Sequence, residues 1–191
     1  MSITSQDILK QIRLIVCDVD GVLSDGKLYY GNDKIEIKNF NVKDGLGIAM
    51  AVAFGFPVVF LTGRRSYAVT HRAKELGATL YDGVQNKERT IQLIAEKFHI
   101  KCENIAYIGD DINDYSAMKL VGFPIAVSDA VNEIKKIAQY TTVLNGGDGA
   151  VREAIEHIFR AQGVLRDAIL NYVEKLKNDD DIPESLNGSN Q

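Results

Sequence analysis

This sequence predicts a doubly wound α/β fold, a parallel sheet with helices on both faces, on three observations. Short β-branched runs alternate with segments of helical periodicity along most of the chain. The strongest runs are apolar throughout rather than alternating, which suits strands covered on both faces. With 191 residues, 46% of them hydrophobic, there is enough chain for one sizeable core.

In chain order, Ile12–Cys17 is β-branched, nearly all apolar and followed closely by glycine, the pattern of a central strand. Lys27–Phe40, KLYYGNDKIEIKNF, interrupts the alternation with two strand-like pieces around Gly31-Asn32-Asp33, so a β-hairpin flap is expected at 27–40. Its Tyr29, Tyr30, Ile35, Ile37 and Phe40 are too much apolar surface for a free ribbon, which predicts packing on something else. Helical spacing follows over Gly47–Phe54, then a strand at Pro57–Leu61, a helix at Ser66–Leu76 ended by Gly77, and a strand at Thr79–Tyr81. The pattern continues with a helix at Lys87–Phe98, a strand at Ile105–Ile108, a helix at Asp114–Val121, a strand at Pro124–Ala126, a helix at Val131–Ala138 and a strand at Tyr140–Val143. A further helix begins near Ala150. Gly163 closes a domain expected to span 1–163, and 164–177 carries an apolar stripe through Leu165, Ala168, Ile169, Tyr172, Val173 and Leu176. The polar, acidic stretch 178–191 is expected to be disordered.

The formal charge is −4 with Lys and Arg scattered, so no basic stripe points to nucleic acid or an anionic membrane, and the expected partner is small. No apolar run is as long as a membrane span, and the first residues lack the pattern of a signal peptide, which makes a cytoplasmic enzyme the expectation. Cys17 and Cys102 have neither metal-site nor redox spacing and are expected to be reduced. His71, His99 and His157 are too scattered for a metal set and read as surface or packing residues.

The chemistry is carried by four short stretches. DVDG places Asp18 and Asp20 after the first strand, LTGR places Thr62, Gly63 and Arg64 after the second, Asn86-Lys87 opens a helix, and GDD places Asp110 after a third strand. In a doubly wound sheet, ligands bind beyond the carboxyl ends of strands, where Asp18, Thr62 and Asp110 all fall. Clustered carboxylates are costly unless a cation offsets them, and hard oxygen ligands suit Mg²⁺. Asp18, Asp110 and the Asp20 main-chain carbonyl are the candidate ligands. With a phosphate ester beside them, Asp18 is a candidate nucleophile, Asp20 a general acid and base, and Lys87 a point charge screening the phosphoryl group. Thr62 and Gly63, read as the start of a helix, are expected to hold phosphate oxygens. Asp111 and Asn113 would orient metal-bound waters or Lys87, while Asp114 reads as a cap for the next helix. The first strand is not followed by G-x-G-x-x-G, so a dinucleotide site is not expected.

DVDG, T, K and GDD, in this order, resemble the haloacid dehalogenase superfamily of phosphatases over Leu14 to about Val127. DVDGVLSDG, NFNVKDGLGI, LTGRRS, HRAKELG, YIGDDINDYSAM and GGDGAVRE are similar to a capless branch of it, the 3-deoxy-D-manno-octulosonate 8-phosphate phosphatases of lipopolysaccharide sugar synthesis, over roughly Ile12–Gly163. That resemblance implies an aspartyl-phosphate mechanism and a homotetramer assembled by the hairpin, with neighbouring subunits roofing each site. It further implies substrate contacts by Asp20, Asn41, Val42, Lys43, Asp44, Gly45, Gly63, Arg64, Arg72 and Lys87. Asp44 reads equally as a helix cap. GGDGAVRE, Gly146–Glu153, resembles a tail motif that reaches an adjacent active site, or else forms a plain glycine turn; Asp148 fits either, and Arg152 is expected to make a fixed contact. Ala49 departs from the family's usual Lys or Arg, which removes an expected cation near the sugar. Arg64 stands where a sister branch acting on a nonulosonate 9-phosphate carries Glu, favouring the octulosonate. The alternatives are that nonulosonate phosphatase, another haloacid dehalogenase phosphatase acting on phosphoglycolate or a nucleotide, or a non-catalytic scaffold of the same fold.

Overall fold

Leu14–Cys17 forms the central strand β1, every residue of it buried. The structure, a computed structural model, describes residues 4–32 and 36–178. A short helix α1 (Ser5–Leu9), closed by a capping box between Thr4 and Asp7, precedes β1 and has no counterpart in the sequence reading. After β1 come the hairpin strands β2 (Tyr29–Tyr30) and β3 (Glu36–Ile37), then α2 (Val42–Ala53), β4 (Val58–Leu61), α3 (Tyr67–Leu76), β5 (Thr79–Tyr81), α4 (Lys87–Lys97) and β6 (Ile105–Gly109). The chain ends its described part with α5 (Tyr115–Leu120), β7 (Phe123–Ala126), α6 (Asn132–Ile137), β8 (Tyr140–Thr141), α7 (Ala150–Gln162) and α8 (Leu165–Asn178).

The main sheet is parallel, in the order β5-β4-β1-β6-β7-β8. From β1 the chain winds outward through β4 and β5, then returns to lay β6, β7 and β8 on the other side. Right-handed crossovers therefore put α2 and α3 on one face and α4, α5 and α6 on the other. The switch point lies at β1, and register brings the site together there. Cys17 is level with both Phe60 and Ile108, so the residues just beyond the ends of β1, β4 and β6 share one edge. Those residues are Asp18, Thr62 and Asp110.

Two expected boundaries shift with consequences. Helix α2 starts at Val42 rather than Gly47, because the Asn41 side chain accepts from Lys43 N at 2.8 Å and caps it. The 41–45 stretch is thus a cap and first turn. Helix α3 starts at Tyr67, so Thr62 and Gly63 lie in a loop before the helix and outside its first turn.

The stripe on α8 docks on its own chain, against α2 and α7, with Ala168 fully buried and Leu165 and Tyr172 packed on the core. Ile169, Leu170, Val173 and Leu176 stay exposed. Asp33 and Ile35 of the hairpin, and the expected disordered stretch beyond Asn178, lie outside the described residues. Between β1 and α2 only the hairpin is inserted, with no cap domain among the described residues. Among them, too, no helix is long and apolar enough to cross a membrane.

Candidate active site

Asp18 follows β1 directly, its N–H donating to Ile108 O at 3.0 Å, and only 3% of the residue is exposed. Its Oδ1 faces Lys87 Nζ at 2.8 Å. Lys87 opens α4, whose Asn86 side chain caps the helix by accepting from Arg89 N at 2.9 Å. The same ammonium donates to Asp114 Oδ1 at 2.7 Å. Burial works against the charge on Lys87, but Asp18 and Asp114 outweigh it and raise its pKa above the ordinary lysine value.

Asp114 does not cap the helix that follows, as the sequence reading had it; its side chain makes no cap bond. Fully buried, it accepts from Lys87, from Tyr107 OH at 2.6 Å and, through Oδ2, from Asp110 N at 3.0 Å. A Cβ on Gly109 would meet the Asp114 carboxylate at 2.6 Å, so only glycine leaves room for it. Asp114 and Tyr107 are the functional residues missed from sequence. The signal available was a tyrosine inside an otherwise aliphatic strand, since a buried hydroxyl needs a partner.

Carboxylate oxygens of Asp18, Asp110 and Asp114 lie within 4.8 Å of one another. Burial first, and the Asp114 charge second, raise the Asp18 pKa despite Lys87. Burial, with the charges of Asp18, Asp114 and Asp111, pushes Asp110 up to about 8. Asp110 Oδ1 is buried with no hydrogen-bond partner. Three crowded carboxylates against one ammonium, with an orphan oxygen among them, are a donor set that fits a hard divalent cation. Asp114 has its oxygens engaged already, so Asp18 and Asp110 are the side chains free to ligate.

A cavity of about 440 Å³ opens over this cluster, lined by Asp18, Asp20, Thr62, Gly63, Arg64 and Asp110, with Asp111 and Asn113 at its side. Asp111 spends one carboxylate oxygen on Ile112 N at 2.7 Å, and both it and Asn113 are exposed. Thr62 is buried, and its Oγ1 accepts from Arg64 N at 3.2 Å, which leaves the hydroxyl hydrogen free to donate. Arg64 Nη2 donates to Tyr30 OH at 3.0 Å and to Glu36 Oε1 at 3.3 Å, linking the pocket to the hairpin. Lys38, also from the hairpin, donates to Asp20 Oδ1 and reaches Glu36 at 3.1 Å. Burial disfavours the Glu36 charge, yet Lys38 and Arg64 hold its carboxyl below the usual range.

The remaining candidates are not brought to this pocket. Asp44 is buried and accepts from Gly149 N at 3.1 Å and Arg152 N at 2.7 Å, capping the start of α7 from across the fold. Both its oxygens accept from backbone amides, a capping role the sequence reading also allowed, here on α7 and not on α2. Asn41 caps α2, and a Cβ on Gly45 would strike Arg72 Nη2 at 2.0 Å, so this glycine makes room for the guanidinium. Val42 and Arg72 line a separate cavity with Lys38, Phe40, His71 and Glu75, and Lys43 faces a third beside Arg152 and Glu156. Ala49 faces Tyr172 and Leu176 of α8, so the cation absent there is not absent from the pocket. Gly146–Glu153 packs on its own chain. A Cβ on Gly146 would lie 1.7 Å from Gly21 O, and Gly147 N donates to Val22 O at 2.9 Å, which buttresses the loop carrying Asp20. Asp148 is exposed on that turn, and Arg152 pairs with Glu156 at 2.6 Å. His157 stacks on Tyr140 with centroids 4.0 Å apart, a packing role as expected.

A parallel sheet whose switch point presents paired aspartates, a threonine turn and a buried lysine defines the haloacid dehalogenase-like hydrolases, and the model of that family matches residues 80–155. A 3-deoxy-D-manno-octulosonate 8-phosphate phosphatase of Escherichia coli strain K12 is 45% identical over 160 residues, 83% of this chain and 85% of that protein. The crystal structure of the Yersinia pestis enzyme of that name superposes with a TM-score of 0.82 at 41% identity, covering 84% of this chain and 88% of that one. The Moraxella catarrhalis enzyme, solved with a magnesium ion, a phosphate ion and a KDO molecule, superposes with a TM-score of 0.84 at 37% identity, covering 87% and 97%. This chain belongs to the 3-deoxy-D-manno-octulosonate 8-phosphate phosphatase family.

Proposed function

We propose that this chain hydrolyses 3-deoxy-D-manno-octulosonate 8-phosphate to the free sugar acid and phosphate, in the cytoplasm, with Mg²⁺ as cofactor. The observation that carries the reading is Asp18 held by Lys87, itself braced by Asp114, in the wall of a cavity large enough for a phosphorylated sugar acid. Asp18 attacks phosphorus in line, the bond to the sugar oxygen breaks, and Asp20 gives its proton to the departing alkoxide. Asp20, now a carboxylate, takes a proton from the water that attacks the aspartyl phosphate, which releases phosphate and restores Asp18. Lys87 keeps its charge throughout and offsets charge developing on the phosphoryl oxygens. The Thr62 hydroxyl and Gly63 amide hold those oxygens. Asp18 and Asp110 carboxylates and the Asp20 main-chain carbonyl would hold Mg²⁺, which when bound neutralises the cluster and polarises the phosphate.

In this reading residues 1–163 are the phosphatase domain, 27–40 its flap and 164–177 a brace on α2. The assembly is a homotetramer whose hairpins roof neighbouring pockets. Tyr30 and Ile37 are 66% and 57% exposed in the single chain, more apolar surface than a two-residue ribbon keeps in water. Val42 and Arg72 line no part of their own chain's carboxylate pocket, which leaves them free to serve an adjacent one in this reading. The deciding experiment is phosphate release from the octulosonate 8-phosphate, a nonulosonate 9-phosphate, phosphoglycolate and nucleotides, with and without a chelator. The octulosonate ester should give the highest kcat/KM and lose turnover on chelation. Preference for another ester would replace the substrate, and no release from any would leave a scaffold.

A further inference from the structure

The hairpin does more than cover the pocket: it delivers a buried cation to the group that must move protons. Lys38 lies one residue past β3, and its side chain is 1% exposed. An ammonium this deep needs anions around it, and it has two, Asp20 and Glu36. Glu36 is itself held from the other side by Arg64, which also takes Tyr30 OH. Strand alternation explains the arrangement, because Glu36 and Lys38 share the face of the ribbon opposite Ile37. The exit of the hairpin is tied down as well. Phe40 bridges to Ser24, on the turn that follows Asp20, and packs on the core. Lys38 is therefore fixed at both ends, by its neighbour's bridge and by two carboxylates.

We propose that Lys38 is a positioning residue, which by binding Asp20 Oδ1 turns the other carboxylate oxygen toward the substrate and couples the seating of the hairpin to catalysis. This rests on the reading of Asp20 as the general acid and base. A carboxylate on a loop has two broad orientations about its last torsion, and proton transfer needs one of its oxygens within hydrogen-bond reach of the leaving group. A single charge-assisted bond at Oδ1 selects between them. Because Lys38 comes from the inserted hairpin, a displaced hairpin would release Asp20 without disturbing Asp18, Lys87 or Asp114.

The test compares Lys38→Met, Lys38→Arg, Asp20→Asn and the Lys38→Met/Asp20→Asn pair with the wild type, on the sugar-acid phosphate, in Mg²⁺. Lys38→Met is expected to lower kcat by about ten- to a hundred-fold with KM within about threefold, the size expected when a catalytic group is misplaced by an ångström. Lys38→Arg should recover most of that loss. Once Asp20 is Asn, adding Lys38→Met should cost little more, because a residue acting through Asp20 is silent without it. Glu36→Gln, which loosens Lys38 but leaves the cation, should show a smaller loss of the same kind and guards against a Lys38 variant that fails to fold. Independent losses in the pair, or an unchanged kcat with a raised KM, would overturn the proposal and make Lys38 a substrate ligand. A wild type that releases no phosphate would overturn the phosphatase reading itself, whereas a Lys38→Met enzyme as fast as an active wild type overturns this inference alone.

Discussion

The carboxylate centre and the hairpin sit side by side yet are built on opposite terms. At the centre, Asp18, Lys87, Asp114 and Tyr107 are buried and their contacts are 2.6 to 2.8 Å long, with Asp18 just beyond the buried β1, Tyr107 inside the buried β6 and Lys87 at the start of α4. In the hairpin, Leu28, Tyr29, Tyr30 and Ile37 are exposed on and beside two-residue strands, which ion pairs with Lys38 and Arg64, the Arg64 bond to Tyr30 OH, one bridge and the packing of Phe40 tie to the domain. The first region is complete within one chain except for the charge it lacks. The second lacks a surface to lie on. Residues that must be preorganised for chemistry lie in the buried centre, while the hairpin, which we propose roofs a neighbouring pocket, keeps apolar side chains exposed.

The comparison can be broken first at its strongest point. Asp18→Asn should lower turnover by about 10⁴-fold or more while leaving assembly intact, measured by phosphate release and sedimentation. Residual activity within tenfold of wild type would remove Asp18 as nucleophile. Lys87→Met should come next, destabilising the metal-free protein by about 3–5 kcal/mol in urea unfolding, because it strands two buried carboxylates. A loss below about 1 kcal/mol would mean the pair is not held as described.

Metal and pH sharpen the same contrast more gently. Asp110 titrates at about 8 in the fold, above an exposed aspartate, so the folded protein holds the extra proton. Its contribution is complete below about pH 4, the unfolded value, and is lost as pH rises through about 8. In chelator the melting point should therefore fall between about pH 5 and 8, and added Mg²⁺ should raise it more at the upper pH. Equal Mg²⁺ shifts at both would argue against binding by these carboxylates. The smallest effect on the fold belongs to the hairpin. Ile37→Asp should change monomer stability by less than about 0.5 kcal/mol, as an exposed substitution does, yet reduce the oligomer to smaller species in sedimentation. An unchanged mass would remove the hairpin from the interface.

How much of this was legible varies with the kind of interaction. DVDG, LTGR and GDD were readable because a strand end followed by acids is a local pattern, and parallel register then aligns such ends without further instruction. Lys38 was not, since KIEIK alternates equally well with either face inward, and a reading centred on its apolar residues looked past the charged face. Asp114 was misread as a cap because acids at helix starts usually are; only Lys87 and Tyr107, 27 and 7 residues away, show what holds it. Asp44 was read evenly between a substrate contact and a cap on its own helix, because the amides it caps lie 105 and 108 residues downstream.

What the sequence determined by itself is the alternation of strands and helices, the residues able to carry phosphoryl chemistry, and their places at strand ends. These depend on periodicity and on neighbours a few residues apart, which a linear text records. Only the tertiary structure decided that Asp114 braces Lys87 instead of capping its helix, which hairpin face turns inward, and that α8 lies on its own chain. Each of those is a choice among long-range partners, and a charged or amphipathic side chain offers the same donors and apolar area to whichever neighbour the packed core brings within reach.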